Sequence, residues 1–145
     1  MNDEYKHIAK SAVEEFILWN RTPVARSGYV ICDEEHFRGI KLSEALYNSK
    51  CGLFVLIKKE EKLRGCMGTL FPTEPDTASQ IIRNSIAACS KDIRFDIVSK
   101  EELPFLEYSV FVVKEIINLK TDDFYVKEKI AASLDIKKEG LLVKS

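Results

Sequence analysis

Five consecutive apolar residues, Leu53-Phe54-Val55-Leu56-Ile57, restrict the fold of this chain more than any other feature. A run this short, bounded by charge, reads as a strand covered on both faces, because a half-exposed strand alternates apolar and polar side chains. The charged residues Lys58 to Lys62 follow as a turn, and Leu63-Arg64-Gly65-Cys66-Met67-Gly68-Thr69 reads as the returning strand of a hairpin. Strand alternation puts Arg64, Cys66 and Gly68 on one face and Leu63, Met67 and Thr69 on the other. Glycine weakens a strand interior unless a bulge or a close backbone approach calls for it. Gly65 and Gly68 around Cys66 therefore mark a surface that another group approaches closely. The returning strand is expected at or near the centre of its sheet.

The rest of the chain alternates between helical and extended patterns. Tyr5, Ile8, Ala9, Ala12, Val13, Phe16 and Ile17 recur at helical spacing, with Asp3 as cap and an end near Trp19, before Pro23. Tyr29 to Cys32 form a short strand, and Leu42, Ala45 and Leu46 a short helix that stops at Asn48-Ser49. After a turn over Phe71 to Asp76, Thr77 and Gln80 have the spacing of a capping box. The helix they open runs to about Lys91, with Ala78, Ile81, Ile82, Ser85 and Cys89 on one face. Tyr108 to Val113 is a strand that continues towards Ile117. A short helix is expected from Tyr125 to Ser133, and a turn and strand from Lys137 to Val143. Hairpin connections dominate the strands, so the reading is a single α+β domain over residues 1–145 with a mainly antiparallel sheet.

Composition excludes several function classes. A balance of 46% hydrophobic and 31% charged residues is globular, and a net charge of -1 gives no general attraction to nucleic acid. No run approaches the roughly 18 apolar residues of a membrane span. The N-terminal residues lack the basic start and apolar stretch of a secretory signal, so a cytoplasmic location is expected. Cys32, Cys51, Cys66 and Cys89 are widely spaced and form no CxxC pair, so no metal site is expected and the four should be thiols. His7 and His36 sit among polar residues and read as solvated. No Gly-rich phosphate loop, HxxxH or GxSxG is present, and no cofactor is expected.

Three ordered blocks carry a family resemblance. Leu63 to Thr69 resembles the signature heptapeptide of the AMME-syndrome candidate-region (AMMECR) domain, with Met67 where isoleucine is usual. Ala87-Ala88-Cys89-Ser90-Lys91-Asp92-Ile93-Arg94-Phe95 is similar to the family's alanine-rich helix end and Asp-x-Arg-Phe. Glu102-Leu103, leading to Tyr108-Ser109-Val110, resembles its Glu-Leu turn into a strand. Order and spacing agree from about residue 50 to 118. The resemblance implies an α+β fold with a larger and a smaller lobe, and an activity that has not been established. Prokaryotic members are called AmmeMemoRadiSam system protein A, which implies a Memo-like protein and a radical-SAM protein as partners. Family domains usually continue beyond the Lys-x-Gly turn, so this chain is expected to be either a reduced or a truncated member.

Cys66 is the leading candidate for chemistry. A thiol near its reference pKa is about 3% thiolate at pH 7, and a cation such as Arg64 on the same face favours the anion. The catalytic reading takes Cys66 as nucleophile, Arg64 as its activator and Asp92 as general base. Gly65, Gly68, Thr69, Arg94 and Glu102 then line a small-molecule pocket around the thiol, with Arg94 as an anion clamp. The alternative makes Cys66 a small buried hydrophobe and the charged residues structural ion pairs. In that case the patch belongs to a non-catalytic binding or interaction module.

Overall fold

The computed structural model describes residues 3–33 and 38–113, together with the backbone of three short strands further on. Helix α1 spans Asp3–Trp19 and buries Ile8, Ala9, Ala12 and Val13, the stripe set by its helical spacing. A small antiparallel sheet follows, made of β1 (Val24–Arg26), β2 (Tyr29–Asp33) and β3 (Arg38–Lys41), in that spatial order. Its first hairpin turns on Ser27 and Gly28, both with positive φ (54° and 81°), as a tight two-residue turn matched to strand twist requires. Helix α2 is a single turn, Glu44–Tyr47, that buries Leu46.

The central sheet has the spatial order β5-β4-β6, all antiparallel, with β4 at Leu53–Lys59, β5 at Lys62–Thr69 and β6 at Leu106–Val112. All five residues of the apolar run are buried on β4, because both faces of that strand are covered. Leu53, Val55 and Ile57 join Val110 and Tyr108 beneath α1 and helix α3 (Thr77–Ser90), which together form the layer on one face. Phe54 and Leu56 point the other way and form a smaller cluster with Cys66 and Leu70. The last three strands, β7 (Ile116–Asn118), β8 (Asp123–Val126) and β9 (Val143–Lys144), make a third antiparallel sheet. The architecture is α+β, as expected. No helix among the described residues is long and apolar enough to cross a membrane.

Five local expectations need correction. Among the described residues the signature strand β5 is an edge strand, not a central one. Its register against β4 shifts between Ile57 and Lys58, which pair with Gly65 and Leu63, so Arg64 is the extra residue of a bulge. The bulge breaks the alternation: Leu63 and Cys66, three residues apart, pack with the same cluster. Arg64 is not on the face of Cys66. The N-cap of α3 is Asp76, whose carboxylate accepts the Ser79 N–H at 2.7 Å, one residue before the expected Thr77. Strand β6 ends at Val112, with Ile116–Asn118 as a separate strand, and Tyr125 and Val126 are extended rather than helical. The remainder of the expected helix to Ser133, and residues 137–142 of the expected turn and strand, lie outside the described residues.

Candidate functional site

The three blocks of the resemblance meet at the bulged end of β5. Arg64, displaced by the bulge, reaches across to Glu102 on the short 3-10 segment Lys100–Phe105. It donates from Nε to Oε2 at 2.8 Å and from Nη2 to Oε1 at 3.0 Å, a two-pronged fit that a guanidinium makes with a carboxylate. Lys59 Nζ adds a third bond at 3.2 Å, and the Ser99 backbone N–H donates to Oε1 at 3.0 Å. The hydrogen bond from Arg64 is the main reason the Glu102 carboxyl is held down at about 2, with burial opposing it. Glu102 is an anion locked among donors.

Asp92 follows the C-cap of α3, where the helix dipole disfavours a negative charge. Burial also pushes its carboxyl upward, but donors outweigh this and hold it below the usual carboxylate range. Arg94 supplies three of them, from Nε (3.0 Å), Nη2 (2.8 Å) and its backbone N–H (3.1 Å). The fourth is the backbone N–H of Cys66, 3.0 Å from Oδ2. Both cations also approach the Phe95 ring, whose centre is 5.8 Å from the Arg64 guanidinium carbon and 5.5 Å from that of Arg94.

Cys66 itself contributes a backbone N–H to this cluster while its side chain belongs to the opposite face, packed with Phe54, Leu56 and Leu70 and only 7% exposed. The glycines of the signature also have partners within the protein. A β-carbon on Gly65 would fall on the Ala88 carbonyl oxygen of α3, and one on Gly68 would fall on the Phe54 ring. The close approach expected from the sequence is made by the protein's own helix and its own aromatic ring. Cys89, on the buried face of α3, is pushed up to about 12 by burial. Cys32 and Cys51 are half-buried.

The other half of the signature, Met67, Gly68 and Thr69, borders a groove of about 690 Å3 between β5, α3 and β1. Cys66, Arg64 and Asp92 do not line it. Asn84, not singled out from the sequence, stands in its wall, and Gln80, expected only as a cap partner, braces Asn84 from behind. Asn84, on α3, donates to the Leu53 carbonyl (2.9 Å) and the Thr69 hydroxyl (3.3 Å). Gln80 donates to Asn84 at 3.2 Å and accepts the backbone N–H groups of Thr73 and Glu74 at 2.7 and 3.1 Å. Both side chains are buried. Their signal was legible as two amides four residues apart on a helix face otherwise apolar or small. Among the described residues no group of three His, Cys, Asp or Glu side chains is placed to hold a metal ion.

Comparison with known proteins assigns the chain to a family. The AMMECR1 family profile matches residues 9–145. A protein of Clostridium acetobutylicum is 37% identical over 102 residues, which is 70% of this chain and 22% of that protein. A protein of Thermotoga maritima is 42% identical over 79 residues, 54% of this chain and 42% of that protein. The chain thus spans less than half the length of either relative. The crystal structure of an uncharacterised protein from Pyrococcus horikoshii shares the fold at a TM-score of 0.60 and 24% identity, over 78% of this chain and 52% of that one. With the family profile matched over nearly the whole sequence, the chain belongs to the AMMECR1 family.

Proposed function

We propose that this AMMECR1-family chain is a binding module that takes its ligand in the groove bordered by Met67, Gly68 and Thr69, and that Cys66 serves packing rather than nucleophilic chemistry. One observation carries this reading: the signature strand divides in two at Cys66. The half before it is consumed by internal contacts, while the half after it borders an open groove. A thiol mechanism needs an accessible sulfur, a cation beside it and a base free to take a proton. Here the sulfur is buried, Arg64 is bidentate to Glu102, and Asp92 is held ionised by four donors. The groove wall, in contrast, combines half-buried apolar side chains at Met67 and Ile86 with polar groups at Thr69 and Ser79, the mixture that fixes a ligand's orientation.

In this reading the Memo-like and radical-SAM proteins implied by the family are partners that receive or present what the groove holds. The test is a titration of the 15N-labelled chain with a library of small organic fragments, followed by amide shifts and intact mass. Non-covalent shifts centred on Gly68, Thr69 and Asn84 are expected. Shifts centred on Cys66 and Arg94, with an adduct on the Cys66 sulfur, would overturn it.

A further inference from the structure

The groove has a main-chain chemistry of its own. In an antiparallel pair, residues alternate between exchanging both hydrogen bonds with their partner and turning both groups outward. Cys66 is opposite Leu56 on β4, yet its N–H goes to Asp92, so this pair is of the outward kind. Two residues on, opposite Phe54, Gly68 is of the same kind and turns its N–H and C=O away from the sheet. The other wall behaves alike. Arg26 and Tyr29 close the two-residue hairpin and so exchange hydrogen bonds, which makes Ala25, opposite Val30, an outward residue of β1. Strands β5 and β1 are both edges of their sheets among the described residues, and Gly68 and Ala25 both border the groove.

An exposed strand edge invites pairing, and proteins normally block it. Asp92 blocks the β5 edge at Cys66 and leaves Gly68, one outward position further along, facing the groove. From these relations we propose that the groove is a strand-addition site: an extended segment of a partner protein lies along β5 and pairs its main chain with Gly68, with Ala25 as a second anchor. This rests on the binding reading above and names the ligand class. An extended backbone offers the alternating donor and acceptor that outward-facing strand positions pair with. Of the charged residues on the groove, Arg83 pairs with Glu74 at 3.1 Å and exposed Lys91 adds a further cation, so a segment carrying a carboxylate side chain is favoured. At Gly68 the Phe54 ring occupies the space a β-carbon would need, so the backbone there carries no side chain.

The probe is a phage-displayed library of random dodecapeptides panned on the whole folded chain, with the selected peptides resynthesised. Binding should slow amide exchange at Gly68 and Ala25 by about tenfold or more. N-methylation at alternate peptide positions should abolish binding in one phase and spare it in the other, because only one set of N–H groups faces β5. Ala25→Pro, which deletes an outward N–H and no ladder bond, should weaken binding by about fivefold. Peptides that bind with no protection at Gly68, or with no phase dependence on N-methylation, would overturn strand addition. So would protection of Gly68 that grows with protein concentration in the absence of peptide, which assigns the edge to a second copy of the chain. If no peptide is selected while fragments still shift Gly68 and Thr69, strand addition fails and the groove reading stands. If neither peptides nor fragments act there, both fail.

Discussion

The Asp92 carboxylate accepts the backbone N–H of Cys66 at 3.0 Å, so an acid from one signature block seals the sheet edge of another. The thiol of the same residue packs on the other face with Phe54, Leu56 and Leu70. Asp92→Ala should leave the Cys66 N–H and the Arg94 guanidinium without their acceptor and destabilise the fold by about 2–3 kcal/mol. Asp92→Asn keeps a neutral acceptor and should cost about half as much. Urea denaturation gives both values, and amide exchange at Cys66 should accelerate in the alanine variant beyond the change at Val55, on the central strand.

The Arg64–Glu102 pair gives the protein an acid-sensitive contact. The carboxyl ionises at about 2 in the fold and at the usual 4.5 when unfolded. A depressed folded value means that the stabilisation is complete above pH 4.5 and is lost as the pH falls towards 2. Arg64→Met should therefore cost on the order of 2 kcal/mol at pH 7, after allowance for screening at the partly exposed Lys59. By pH 3 that cost should shrink by about 1 kcal/mol, because the wild-type pair has already lost part of its contribution. Paired urea titrations of both proteins at the two pH values measure the difference.

Gly65 and Gly68 should respond differently to alanine. The new methyl at Gly65 meets a helix carbonyl on α3, which can yield only if the helix shifts, so Gly65→Ala should cost about 3 kcal/mol or more. At Gly68 the obstacle is the buried Phe54 ring, a side chain rather than backbone, and repacking it should cost about 2 kcal/mol. Adding Phe54→Leu should relieve part of the Gly68→Ala defect and none of that at Gly65. A double-mutant cycle reads the coupling directly.

The sequence made the scaffold readable wherever a single periodicity governed a segment. The unbroken apolar run of β4 and the stripe of α1 follow from which faces are covered, which local pattern encodes. Alternation misplaces Arg64 because it presumes an uninterrupted ladder, and a bulge is set by pairing with another strand. The cap of α3 was missed by one residue because Asp76 and Thr77 are both capping types, and tertiary packing turned Thr77 towards Ser49 instead. Gln80, read as a cap partner, braces the turn before α3. The edge position of β5 was invisible for a similar reason: a strand's neighbours belong to the topology, not to its own residues.

Site-resolved alkylation of the four native thiols at pH 7 tests the central claim most directly, because the thiol and binding readings predict opposite orders. The buried thiols, Cys66 and Cys89, should be the slow pair, and the half-buried Cys32 and Cys51 the faster one. Cys66 should react at least about tenfold more slowly than an unstructured cysteine. Arg64→Met should change its rate only as far as it lowers overall stability. A Cys66 that labels faster than an unstructured thiol, and slows when Arg64 is replaced, would contradict this account and restore the nucleophile.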